Sequence, residues 1–207
     1  MVFSMKVSKD KAIKLVQNGE VIACVTDTIY GLIAKYNDTN AITAIFEIKK
    51  RPLSNPLIIL IHDLDQLREL TENLPKQIEN VAKAFWPGPL TIILPANQKK
   101  IPAVVRANLP TCAFRIPGNE SLLSIIKETG PIVAPSANIS TSSPAKNPKE
   151  IELVFGNDFP VYGDITIEEN LPSTLIGLES GHWKIFREGK IRKDTLSDVL
   201  GYTPYVK

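Results

Sequence analysis

Apolar and polar positions follow two periods along this chain. In "SKDKAIKLVQNG" the apolar residues Ala12, Ile13, Leu15 and Val16 fall at helical spacing, Ser8 stands where an N-cap belongs, and Gly19 stands where a helix ends. "VIACV" is wholly apolar and predicts a buried strand, with "TDTIYGL" as a loop after it. Residues 40–49, "NAITAIFEIK", return to the helical period through Ile42, Ile45, Phe46 and Lys49. Strands are expected at "PLIILIH", "LTIILP", "TCAFRI" and "PIVAP", and helices at "IENVAKAF", halted by "WPGP", and at "SLLSIIKET". "SANISTSSPAKNP" is a polar loop and "KEIELVFG" a short helix. "STLIGL" and "HWKIFRE" form a hairpin across "ESG", and the tail "TLSDVLGYTPYVK" holds a last short helix. This alternation predicts an α/β fold, a twisted mixed sheet with flanking helices. Composition does not break anywhere, so residues 1–207 are expected to form one domain. The polar loops follow strand ends, where α/β sheets place their ligands.

Composition narrows the class. The chain has 207 residues, 43% hydrophobic and 22% charged, enough for a sizeable core. A net charge of +2 permits weak contact with RNA without arguing for a dedicated nucleic-acid binder. Apolar runs such as "LIILI" are too short to cross a bilayer, and "MVFSMKVSKDKA" lacks the apolar centre of a signal peptide, so a cytoplasmic protein is expected. Cys24 and Cys112 each lie in an apolar strand and read as buried free thiols rather than a disulfide or a catalytic thiol.

Chemistry concentrates in a few loops. "KKRPLSNPL" sets Lys49, Lys50 and Arg51 at a helix end that Pro52 stops, with Asn55 just beyond. Two readings stand: a solvated helix C-terminus whose cations complement the dipole, or a grip on a polyphosphate. No Walker loop or GxGxxG occurs, so a nucleotide would need another cradle. "TDTIYGL" offers Thr26, Asp27 and Thr28, as a self-bonded turn or as a small polar ligand site. "APSANIS" offers Ser136, Asn138 and Ser140, which suit hydrogen bonding better than covalent attack. The chain has only His62 and His182, neither in a triad context, and no Cys/His metal spacing. Thr111 and Arg115 share one strand face by the period of two. Arg115 lies among apolar residues and needs an anion, either a structural acid or a ligand carboxylate. Ser173 and Thr174 begin a strand, and Arg187 ends one.

Taken in order, "TDTIYGL", "KKRPLSNPL", "WPGPLTIIL", "FRIP", "APSANIS", "PSTLI" and "REGKI" resemble the YrdC/TsaC family, the threonylcarbamoyl-AMP synthases of tRNA modification. The resemblance covers about residues 8–193. It implies a YrdC-like sheet lining a concave, positively charged cavity. It also implies that L-threonine, bicarbonate and ATP with Mg²⁺ are converted to threonylcarbamoyl-AMP and pyrophosphate. Partner proteins would then transfer the threonylcarbamoyl group to the tRNA adenosine beside the anticodon. By position, Lys49, Arg51 and Asn55 are expected at the ATP phosphates. Thr111, Ser136, Asn138, Ser143 and Arg187 are expected at the nucleotide, with Ser143 in a loop about one residue shorter than in many relatives. Thr28, Arg115, Ala134 and Ser173 are expected at threonine. Val25 stands where relatives usually have proline, and a chain ending at Lys207 resembles the short bacterial form. A non-catalytic RNA-binding module and a carbamoyl-adenylate unit of larger transferases are the other readings of the same fold.

Overall fold

A computed structural model describes residues 6–206 except 73, 75 and 170. The expectation for the first five residues lies outside that range. The strands are β1 (Ile22–Cys24), β2 (Gly31–Lys35), β3 (Ile58–Leu60), β4 (Leu90–Pro95), β5 (Thr111–Arg115), β6 (Ile132–Val133), β7 (Val161–Tyr162), β8 (Thr174–Glu179), β9 (His182–Arg187) and β10 (Tyr205–Val206). They form one sheet in the order β10-β9-β8-β4-β5-β3-β6-β2-β1-β7. Pairing is mixed: β1 with β7, β3 with β5, β4 with β8 and β9 with β10 are parallel, and the other neighbours are antiparallel. The mixed α/β sheet expected from the sequence is therefore present.

The helices are α1 (Lys9–Gln17), α2 (Thr39–Lys49), α3 (Leu64–Leu70), α4 (Lys76–Phe85), α5 (Glu120–Thr129), α6 (Pro148–Phe155) and α7 (Lys193–Leu200). Alternation along the central strands divides their side chains between two cores. Ile22, Cys24, Ile33, Leu60 and Ile132 pack with Ala12, Leu15 and Val16 of α1 and Leu122, Ile125 and Ile126 of α5. Their sequence neighbours Ala23, Leu32, Ala34, Ile59 and Val133 pack on the other side with α2, α3 and α4. Ser8 caps α1 through Lys11 N at 3.3 Å, as its position predicts.

Four elements were not legible. β2 runs straight out of the polar loop, with no punctuation between them, so the loop expected at "TDTIYGL" ends one residue before Gly31. α3 is too short to establish a period, although Asp63 caps it through Gln66 N at 2.9 Å. β7 and β10 are two-residue strands defined only by their partners. Cys24 and Cys112 are buried free thiols, as expected. Burial pushes both upward, Cys112 to about 12, so neither is a reactive thiolate. Among the described residues no helix is long and apolar enough to cross a membrane.

Candidate active site

A cavity of about 570 Å³ opens where the loop after β1, the segment after α2, the strands β4 and β5, the loop after β6 and the ends of β8 and β9 meet. Nine of the residues that the resemblance assigns to ligands line it: Thr28, Arg51, Asn55, Thr111, Arg115, Ala134, Ser136, Ser173 and Arg187. Its apolar wall includes Leu57, Ile58, Leu60, Ile93 and Leu175. Three guanidinium groups and no carboxylate appear among the lining side chains.

The loop after β1 is folded by its own first threonine. Thr26 Oγ1 accepts from Thr28 N at 3.0 Å and Ile29 N at 3.2 Å, and donates to Ile29 O at 2.7 Å. Since that carbonyl takes the Thr26 proton, the 3.0 Å contact between the two threonine hydroxyls is donated by Thr28. Thr28 Oγ1 in turn accepts from Arg115 Nη1 at 2.9 Å. What Thr28 can still offer a ligand is a lone pair. Tyr30 anchors the loop on both sides: its hydroxyl donates to Ile165 O at 2.9 Å, and its carbonyl accepts from Ala137 N at 2.8 Å.

Arg115 is 4% exposed, and its structural acid is Asp27, with Nη2 at 2.5 Å from Oδ1. That contact is a close ion pair with poor hydrogen-bond alignment, because neither atom has a well-directed partner. Nε is held by Gly88 O at 2.8 Å, and Lys190 Nζ fastens the Asp27 carbonyl at 2.8 Å. Burial pulls the Arg115 pKa down and the Asp27 carboxylate draws it back up. Gly118 gives this pair room, since a Cβ there would stand 3.0 Å from Asp27 Oδ2. The two anions considered from the sequence thus resolve into one structural carboxylate, on a guanidinium that also borders the cavity.

The basic corner separates its cations. Lys50 takes the left-handed C-cap of α2 with φ 50° and points to solvent. Arg51 gives Nε to Asn55 O at 3.2 Å and Nη2 to Pro56 O at 2.9 Å, which leaves N–H groups of its five for a ligand. Burial lowers its pKa. Lys49 does not turn to the cavity as expected. It is 1% exposed, and its Nζ donates to Ser136 O at 2.5 Å, Asn138 O at 2.9 Å and Asn138 Oδ1 at 2.8 Å. The reason lies in the period already visible in the sequence: Lys49 follows Ile42, Ile45 and Phe46 on the buried face of α2. Burial, and then the charge of Arg51, push its pKa down to about 7.

Asn138 is likewise turned inward. Its Oδ1 accepts from Ser136 Oγ at 2.6 Å as well as from Lys49, and its Nδ2 donates to Ser142 O. Ser143 is exposed and outside the lining, which Pro144 joins instead. Ser136 gives its proton to a neutral amide oxygen and has no basic partner, which argues for hydrogen bonding and against a nucleophile. His62 pairs with Asp63 and borders no part of the cavity.

On the opposite wall Ser173 is buried between Thr91 Oγ1, at 2.7 Å from its own Oγ, and Arg187, whose Nε and Nη2 reach Ser173 O at 3.2 and 3.0 Å. Burial lowers the Arg187 pKa and the positive charge of Arg115 lowers it further, as expected for two cations facing one cavity. Thr174 Oγ1 accepts from Gly189 N at 2.9 Å and Ile191 N at 3.0 Å and donates to Ile191 O at 2.6 Å, joining "PSTLI" to "REGKI". Sequence reasoning missed Thr91 and Lys190, and of its two readings of Thr26 the self-bonded turn is the one seen. Thr91 carried a signal, as the one polar residue inside "LTIILP".

These features define an α/β protein whose sheet ends hold a guanidinium-lined cavity, and the chain belongs to the Sua5/YciO/YrdC family. The family model, described as telomere recombination, matches residues 14–189. Among curated relatives, the threonylcarbamoyl-AMP synthase of Pyrococcus abyssi is 37% identical over 90% of this chain and 55% of its own length. That of Bacillus subtilis is 36% identical over 92% of this chain and 56% of its own length. The chain therefore spans little more than half the length of these relatives. The crystal structure of P. abyssi Sua5 complexed with L-threonine superposes with a TM-score of 0.91 at 32% identity, covering 100% of this chain and 62% of that one. E. coli YciO shares the fold, with a TM-score of 0.80 at 22% identity over 93% of this chain and 97% of its own.

Proposed function

We propose that this chain is a threonylcarbamoyl-AMP synthase, a nucleotidyltransferase that joins L-threonine, bicarbonate and the AMP part of ATP, releasing pyrophosphate and water. The observation that carries this reading is the pairing of three guanidinium groups with hydroxyls around one cavity that has no nucleophile–base pair. Such a site can position and neutralise anions, and the reaction needs little else. The threonine amine attacks carbon dioxide or bicarbonate to form the carbamate C–N bond. A carbamate oxygen then attacks the α-phosphorus, and the bond to pyrophosphate breaks. No enzyme bond is made at any step.

In this assignment Arg51, Asn55 and Arg187 face the phosphates, with Thr111 and Ser136 at the nucleotide. Arg115, Thr28, the backbone of Ala134 and Ser173 hold threonine. The Ala134 amide already donates to Ile58 O at 3.1 Å, so this reading gives the contact with threonine to its carbonyl. Mg²⁺ would arrive on the triphosphate and offset phosphate charge. The lining has no carboxylate and Asp27 is paired with Arg115, a donor set that suits a metal carried by phosphate oxygens. The product would pass to separate proteins that transfer the threonylcarbamoyl group to tRNA in the cytoplasm, with one domain, residues 1–207, performing the synthesis. The test is mass detection of the adenylate after incubation with threonine, bicarbonate and Mg-ATP. Use of 2-aminobutyrate, which lacks the hydroxyl, as efficiently as threonine would exclude a pocket built to hydrogen-bond threonine.

A further inference from the structure

Among the described residues Lys49 is a buried ammonium without a carboxylate partner. All three of its acceptors are neutral oxygens of one segment: Ser136 O, Asn138 O and Asn138 Oδ1. Its main chain joins the same segment, because Ser140 N donates to Lys49 O at 2.8 Å. The segment closes around it by further bonds, Ser136 Oγ to Asn138 Oδ1, Asn138 Nδ2 to Ser142 O, and Ala145 N to Ala137 O at 2.9 Å. A cation buried among carbonyl dipoles organises those dipoles. Removing it leaves at least two buried main-chain carbonyls without their donor. Of the residues it holds, Ser136 lines the cavity.

We infer that Lys49 is a positioning residue: its ammonium templates residues 136–142 and through Ser136 and Asn138 sets the wall that receives the nucleoside, without touching a phosphate. This rests on the synthase reading only in naming a nucleotide as the ligand. The charge grip on the phosphates then belongs to Arg51 and Arg187, cations that border the cavity. Three protein oxygens already surround the ammonium, and the side chain is 1% exposed.

The two roles differ along the series adenosine, AMP, ATP. A phosphate contact is worth nothing with adenosine and most with ATP, whereas a displaced wall weakens all three alike. Binding is measured by calorimetry on the full chain for wild type, Lys49→Met and Arg51→Ala. Lys49→Met is expected to weaken adenosine, AMP and ATP by a common factor of about tenfold, the order expected for one lost buried hydrogen-bonded charge. Arg51→Ala is expected to spare adenosine and weaken ATP most. Threonine binding without nucleotide should change less than nucleotide binding in Lys49→Met, because Thr28, Arg115 and Ser173 make no hydrogen bond to the held segment. In an Asn138→Ala background the Lys49→Met effect should shrink, because both changes remove the same link. Amide exchange of residues 137–142 should quicken in Lys49→Met with no nucleotide present, which reads the templating even if no nucleotide binds. A loss that grows from adenosine to ATP overturns the inference in favour of a phosphate contact. Unchanged nucleotide binding and exchange overturn it outright. Loss of threonine binding as well would make Lys49 a residue of the fold alone and also overturn it. Wild-type protein that binds threonine but no nucleotide defeats the synthase reading instead, and leaves the exchange experiment to decide the templating.

Discussion

Thr174→Val is the sharpest perturbation of the wall opposite Lys49. The side chain is 0% exposed, and valine nearly reproduces its shape, so packing is kept while three hydrogen bonds vanish. Gly189 N, Ile191 N and Ile191 O are then left in a dry site with no replacement. Each such orphan costs about 1–3 kcal/mol, and partial relaxation brings the sum to about 3–5 kcal/mol. For a chain of this length that corresponds to a melting temperature lower by roughly 10 °C. Thr174→Ser keeps the hydroxyl and loses a methyl, at a cost of about 1 kcal/mol. Because Arg187 and Ser173 flank this joint, the Val variant should also raise KM for both substrates at temperatures where it stays folded. Denaturant unfolding and steady-state kinetics of the two variants are the assay. A Val variant within about 1 kcal/mol of wild type, or a Ser variant as damaged as Val, would refute the reasoning, since the hydroxyl network would then not hold the joint.

Other expectations follow from the same geometry. Gly189→Ala brings a Cβ to 2.2 Å from Pro172 O and 2.7 Å from the Ser173 carbonyl carbon, so the backbone has to shift. The variant should lose about 1–3 kcal/mol and raise KM, by unfolding and kinetics. Arg115→Ala leaves the Asp27 carboxylate unpaired in a mostly buried site and should destabilise by about 3–5 kcal/mol while raising the threonine requirement. Adding Asp27→Asn should recover part of the stability and none of the threonine use. Lys49 gives a pH signature. Its pKa falls from 10.5 to about 7 on folding, so between those values the unfolded chain binds more protons than the folded one. The burial cost is complete below pH about 7 and is relieved as pH rises towards 10.5. Wild-type stability should therefore rise relative to that of Lys49→Met as pH is raised from about 7 towards 10.5 and fall relative to it as pH is lowered, and equal pH slopes for the two proteins would exclude a depressed lysine.

Much of the site could be read from the sequence because its residues sit in short local motifs. Thr28, Arg51, Asn55 and Ser136 each belong to a loop with its own punctuation, and the period of two brings Thr111 and Arg115 to one face. What stayed hidden depends on contacts between distant segments. Asp27 and Arg115 are far apart in sequence, so the choice between a structural acid and a ligand had no local signal. Lys49 sent two signals that disagreed, membership of a charged trio and membership of the apolar stripe of α2. Burial followed the stripe, because the carbonyls of residues 136 and 138 supply the acceptors that a lysine on that face requires. β2 was obscured because the turn residues that usually announce a strand themselves belong to the loop that lines the cavity. The hairpin across "ESG" was legible because Ser180 and Gly181 both take positive φ, 52° and 82°, the geometry a two-residue turn demands.

Pyrophosphate release from Mg-ATP, with threonine and bicarbonate omitted in turn from degassed buffer, tests the synthase reading most directly. If a carbamate oxygen is the attacking group, ATP alone is an incomplete substrate. Pyrophosphate and threonylcarbamoyl-AMP should then appear together, in equal amounts, only when both co-substrates are present. Pyrophosphate released without threonine, phosphate released in its place, or silence under all conditions from a protein that binds RNA tightly would contradict it.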